Sequence, residues 1–95
     1  MTTIAVNAAG WSREERELIP ADSPLAQYIS VNPGRMSGEP CFRGTRVPVQ
    51  TLFDHLASGD GLVAFLAGFP NVTREVAVGV IELASRGMLE GLRRL

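Results

Sequence analysis

The chain contains no lysine, and only one each of cysteine, histidine, tryptophan and tyrosine among its 95 residues. A single cysteine, Cys41, excludes an internal disulfide and suits a reducing compartment. With His55 as the one histidine, no metal-ligand spacing exists, and neither a metal nor another cofactor is expected. Long apolar runs are missing too. The longest, Gly61 to Phe69, falls far short of the roughly 20 residues needed to span a bilayer. No basic region leading into an apolar run opens the chain, so no signal peptide is expected and the expected location is the cytoplasm. Net charge is −1, which gives no overall electrostatic case for nucleic acid. The all-arginine basic set carries little weight, since genome composition accounts for it as readily as selection for forked donors.

What is present is a globular composition, 45% hydrophobic and 20% charged, in a length that makes one modest core. Charge is unevenly placed. Residues 1–33 set Arg13 and Arg16 against Glu14, Glu15, Glu17 and Asp22, whereas residues 34–51 set Arg35, Arg43 and Arg46 against Glu39 alone. That second stretch is the one locally basic part. It contains Met36 to Val49, where Gly38 and Gly44 accept positive φ while Pro40 and Pro48 fix φ and lack an N–H. Alternating these two residue types encodes a fixed path of tight turns.

The chain reads in order as follows. Ser12 and Glu15 have capping-box spacing with Trp11 at the staple position, predicting one or two exposed helical turns up to Pro20. Ser23-Pro24 is suited to start a further short helix. Tyr28 to Val31 alternates as a short strand, and an extended piece over Pro40 to Arg43 is expected to pair with it. Val49, Leu52, Phe53 and Leu56 then fall on one helical face, between Pro48 and Gly59. Asp60 is placed to cap a second helix ended by Gly68 and Pro70. Thr73 is placed to cap a third, ended by Gly87, with Met88 to Leu95 as a further amphipathic turn or two. The core candidates are Leu52, Phe53, Leu56, Leu62, Leu66, Phe69, Val76, Val80 and Leu83. The expected architecture is mainly α: a three-helix core of helix-turn-helix type (residues 23–95) preceded by a short β-ribbon, with residues 1–22 as a partly flexible extension bearing one short helix.

Ser37-Gly38-Glu39-Pro40-Cys41-Phe42-Arg43-Gly44-Thr45-Arg46-Val47-Pro48-Val49 resembles the signature of the domain of unknown function 433 family. The likeness continues through Leu56-Ala57-Ser58-Gly59 and Phe69-Pro70-Asn71-Val72-Thr73. Its signature positions here are Gly38, Pro40, Gly44, Thr45, Arg46, Pro48 and Pro70. The resemblance implies a homeodomain-like core and an antitoxin of a type II toxin–antitoxin pair, VapB-type. Such a chain would bind a PIN-like ribonuclease toxin and, as a second ligand, its own operator DNA. Two features depart from the pattern: the extension before about residue 21, and a second helix opening Gly61-Leu62-Val63-Ala64 where the family is usually more acidic.

Three classes of function are weighed. For DNA binding the candidates are Arg35, Arg43 and Arg46 as phosphate clamps, with Arg74 and Arg86 at the ends of the last helix. The competing reading of Arg43 and Arg46 is that they brace the loop by bonding carbonyls, or pair with Glu39 or Asp54. For catalysis, Cys41, His55 and Asp54 supply the residue types, but Asp54 and His55 are adjacent on a helix and do not face each other. No catalytic residue and no small-molecule substrate are assigned. For protein binding, Trp11, Leu18, Ile19, Val78 and Ile81 are the candidate interface of a homodimer or a partner complex, because the apolar residues exceed what one small core hides. Gly79, costly mid-helix, fits a close helix approach. The favoured function is the antitoxin. The alternatives are a stand-alone DNA-binding regulator, or a dimeric interaction module without DNA binding.

Overall fold

The computed structural model describes residues 16–95. Two strands, β1 (Ile29–Ser30) and β2 (Cys41–Phe42), precede three helices, α1 (Val49–Ala57), α2 (Leu62–Gly68) and α3 (Arg74–Arg93). The expected three-helix core behind a β-ribbon is what forms. β1 and β2 pair antiparallel, with Ile29 opposite Phe42 and Ser30 opposite Cys41. A ribbon of two residues a side cannot stand alone, so its support lies beneath it. Phe42 turns inward onto Val49, Leu52, Phe65, Val72, Ala77 and Val80, which form one cluster.

Punctuation residues set most of the element ends. Ser23 Oγ accepts from the Leu25 N–H and starts a single 3-10 turn, Pro24–Gln27. Thr73 Oγ1 accepts from Val76 N–H at 3.2 Å and caps α3. Gly59, at φ +94°, closes α1: the Gly59 N–H reaches the Leu56 carbonyl at 3.2 Å and the Asp60 N–H reaches the His55 carbonyl at 2.9 Å. These are the two bonds of a Schellman motif.

That closure corrects one expectation. Asp60 belongs to the end of α1, and the residue before α2 is Gly61, which provides no side-chain cap. A second correction concerns α3, which runs unbroken through Gly87 to Arg93. Glycine lowers helix propensity by about 1 kcal/mol but ends a helix only where the backbone turns left-handed, and Gly87 does not.

The core list also shifts. Leu52 and Val80 are buried; Phe53, Leu56, Leu62, Leu66, Phe69 and Val76 pack partly buried around them; Leu83 is half-exposed and outside the cluster. Phe65 is the side chain that α2 buries completely, tilted against Phe42 at 5.9 Å and against Phe69 at 5.0 Å. Val63, two residues away, is 72% exposed. Gly79 does permit a close approach, but to the ring of Tyr28. A Cβ at Gly79 would lie 2.5 Å from that ring. No helix among the described residues is long and apolar enough to cross a membrane.

Candidate binding face of the β-ribbon and clasp

The basic stretch folds as a hairpin hung on β2. Phe42 N–H donates to the Val47 carbonyl at 3.0 Å, Val49 N–H donates to the Pro40 carbonyl at 2.9 Å, and Cys41 bridges Pro48. At its tip the Thr45 N–H returns to the Phe42 carbonyl at 3.0 Å, with Gly44 at φ +76°. This is a tight turn whose third residue must be left-handed, a conformation that glycine takes without a Cβ clash. Thr45 Oγ1 donates to the Phe42 carbonyl at 2.8 Å and accepts from Val47 N–H at 3.1 Å, locking the tip from inside. Pro40, Gly44, Thr45 and Pro48 are therefore the frame of the clasp. Gly38 (φ +81°) ends a run in which Met36 and Ser37 are also left-handed, at φ +51° and +55°. Non-glycine residues hold that conformation at a cost of about 1–2 kcal/mol each. Pro70 lies in the turn between α2 and α3.

The arginines divide. Arg43, though exposed, is bonded within the fold: its backbone N–H meets the Tyr28 carbonyl at 2.8 Å, its Nε donates to the Ala26 carbonyl, and a guanidinium nitrogen lies 3.9 Å from Glu17. The bracing role holds for Arg43, although its partners are Ala26 and Glu17. Arg46 and Arg35 make no ion pair or side-chain hydrogen bond to any described residue. Both are exposed, and both line one shallow cleft with Asn32, Glu39 and Thr45, over the buried Cys41. Arg74 and Arg86 lie elsewhere, on α3, where Arg86 pairs with Glu82 at 3.7 Å. Of the five candidate arginines, Arg35 and Arg46 are the two that line this cleft.

Glu17 is the residue that sequence reasoning missed. Its Oε2 accepts from the Ile19 and Val31 N–H groups at 3.1 and 2.8 Å, and its Oε1 takes the Ser30 hydroxyl and faces Arg43. Burial alone would raise its pKa. The bonds from Ser30, Val31 and Ile19, with the charge of Arg43, outweigh that and hold the carboxyl below its ordinary value. Leu18 N–H adds a bond to the Val31 carbonyl at 2.8 Å, so residues 17–19 dock beside Val31, the residue that follows β1. The helical turns expected up to Pro20 are absent from residues 16–20, where the Leu18 N–H is bonded to the remote Val31 carbonyl rather than within a helical turn. The rest of that segment, with Trp11 and the Ser12–Glu15 box, lies outside the described residues.

Of the other interface candidates, Ile19 and Val78 are half-buried, Leu18 is exposed, and Ile81 packs partly onto its own core. Each of the groups weighed for catalysis has a contact within the fold. Burial, and then the charge of Glu39, pushes the Cys41 thiol up, so it stays protonated at neutral pH. His55 Nδ1 lies 2.9 Å from the Thr51 carbonyl, and its ring stands edge-on to Phe65 and Phe69, each at 5.6 Å. Asp54 accepts from Gln50 instead. No group of three side chains suited to a metal ion occurs among the described residues.

The clasp, α1, α2 and the first half of α3 are together what a family model covers. Residues 29–84 match the model described as protein of unknown function DUF433. The chain belongs to the DUF433 family. A solved structure of a DUF433 member from Anabaena variabilis ATCC 29413 is similar, with a TM-score of 0.58 and 27% identity. The match covers 74% of this chain and 69% of that one. No curated protein matches the chain. The docked segment around Glu17 and the end of α3 lie outside the residues that the DUF433 model matches.

Proposed function

We propose that this DUF433 chain acts by binding another protein, as the antitoxin of a type II pair that neutralises a PIN-like ribonuclease in the cytoplasm. The observation that supports this reading is the division of the arginines. Arg43 is engaged within the fold by the Ala26 carbonyl and Glu17, while Arg35 and Arg46 stand exposed on one cleft that Glu39 also lines. A guanidinium offers a planar fork of donors that matches a carboxylate, and a pre-positioned one loses little freedom on binding. Metal-dependent ribonucleases of this type gather carboxylates to hold their ion. Two arginines brought against such a cluster neutralise it and block metal entry.

Operator binding has less support. The outer positions of α3 mix Arg74 and Arg86 with Glu75 and Glu82, and Arg86 is already paired. A recognition helix needs a surplus of donors toward base edges and phosphates.

The test is co-expression with the ribonuclease encoded beside the gene. The wild-type chain should co-purify with it and abolish its toxicity, and Arg35→Glu/Arg46→Glu should lose both while melting as the wild type does. A wild-type chain that neither binds nor neutralises the nuclease contradicts the reading.

A further inference from the structure

From Arg16 to Gln27, no side chain belongs to the core cluster or packs against it. Among the described residues, what ties residues 16–19 to the strand pair is polar. The Leu18 N–H sits on the Val31 carbonyl, and the Glu17 carboxylate meets Ser30, Val31 and Arg43. Pro20, Ala21 and Asp22, which follow, are exposed. A segment attached by polar bonds at the surface opens far more readily than an apolar core does.

The partners of Glu17, by contrast, are held in place without it. Ser30 is paired with Cys41 in the ribbon, and Val31 follows directly. The Arg43 side chain is anchored through Nε on the Ala26 carbonyl, and its backbone N–H on the Tyr28 carbonyl at 2.8 Å. With Glu17 lifted away, a hydroxyl, a half-buried backbone N–H and a guanidinium still converge on one point. All three are donors. A half-buried N–H that loses its acceptor is costly, and a guanidinium favours a carboxylate above other acceptors.

We infer that residues 16–19 are a detachable strap, and that the site beneath it takes the carboxylate of an acidic peptide segment. The strap itself shows the register that such a segment uses. Its carboxylate meets the Val31 N–H at 2.8 Å, and the N–H of the next residue meets the Val31 carbonyl at 2.8 Å. A second extended peptide can repeat both bonds only after the strap lifts, so Glu17 is an autoinhibitory contact. Donors fixed in advance lower the ordering cost of binding. Through Ser30 the site borders the cleft of Arg35 and Arg46. The inference does not rest on the ribonuclease reading, because both of its tests are made without the nuclease.

Amide hydrogen exchange of the wild-type chain tests the strap. Protection of Leu18 and Val31 should agree within about threefold and lie at least about 30-fold below that of Phe42, whose N–H is bonded to the Val47 carbonyl. Leu18 and Val31 protected as strongly as Phe42 would mean that the strap leaves only when the core unfolds, and would overturn the proposal. The site is tested in Glu17→Ala, which removes no contact of the core cluster. A blocked peptide with the sequence of residues 16–20 should shift the Val31 N–H and Arg43 Nε–H resonances saturably, with a dissociation constant of about 1 mM. The same peptide carrying E17Q should bind at least about tenfold more weakly. Sodium acetate should also bind more weakly, since it has no N–H for the Val31 carbonyl. No shift up to about 10 mM peptide, equal binding of the E17Q peptide, or acetate as effective as the peptide overturns the site.

Discussion

The clasp and the exposed end of α3, the arm, leave different things unfinished. In the clasp the backbone is bonded back on itself, the threonine is used twice, and Arg43 meets Glu17; what remains over is charged, the guanidinium groups of Arg35 and Arg46 with the carboxylate of Glu39. In the arm the backbone is a plain helix, and what remains over is a row of leucine and methionine side chains. The leftover chemistry differs because the sequence constraint differs. Prolines and left-handed residues fix the clasp without a core beneath every residue, so its side chains are free to be polar. The arm has no such constraint and depends on apolar contact to stay formed. The clasp therefore leaves charge exposed, and the end of α3 leaves apolar surface exposed.

If this division holds, residues on the finished side should lower stability and residues on the unfinished side should not. The largest gap is expected inside α3. Val80→Asp puts a carboxylate where only 3% of the residue is exposed and should cost about 3–5 kcal/mol or unfold the domain, while Leu92→Asp at micromolar concentration should shift urea stability by less than about 0.5 kcal/mol. Equal losses would mean that the arm folds back on the domain.

Next in size is the clasp tip. Gly44→Val forces a β-branched residue to φ +76° and should cost about 2 kcal/mol or more by thermal melting. Wild-type melting would show that the turn relaxes to another type.

Two glycines of α3 give an opposed pair. Gly79→Ala should destabilise by about 1–3 kcal/mol despite better helix propensity, because its Cβ meets Tyr28 at 2.5 Å. Gly87→Ala meets nothing and should stabilise the monomer by up to about 1 kcal/mol, read by circular dichroism at low concentration.

Glu17 gives a pH signature. Its folded pKa lies below the ordinary 4.5, so its contribution is fully present above that value and is lost as pH falls through the folded pKa. Glu17→Gln should cost about 1–2 kcal/mol at pH 7, and its stability should vary less than the wild type's below pH 4.5.

The parts of this fold that could be read from sequence are those set by local backbone chemistry. Pro48, Gly59, Gly68 and Thr73 bound the helices near where the spacing placed them, and the ribbon forms between the expected segments. What escaped depends on tertiary context. Glu17 sits in a charged run indistinguishable from a solvated helix, and its partners Ser30, Val31 and Arg43 are remote in sequence. Phe65 was hidden because α2 is apolar nearly all round, so periodicity could not choose between Phe65 and Val63. The separate fates of Arg43 and Arg46 were illegible too, since alternation on a hairpin decides which points back over Ala26.

The smallest effect on stability should be that of Arg46→Ala, within about 0.5 kcal/mol of wild type, because no described residue bonds its side chain. The same substitution tests the central claim most directly when combined with Arg35→Ala and read by calorimetric titration into a catalytically inactive form of the neighbouring ribonuclease. The account predicts at least about a 100-fold weaker affinity, equivalent to about 3 kcal/mol, at an unchanged melting temperature. An unaltered affinity, or wild-type protein that gives no binding at all, would contradict it.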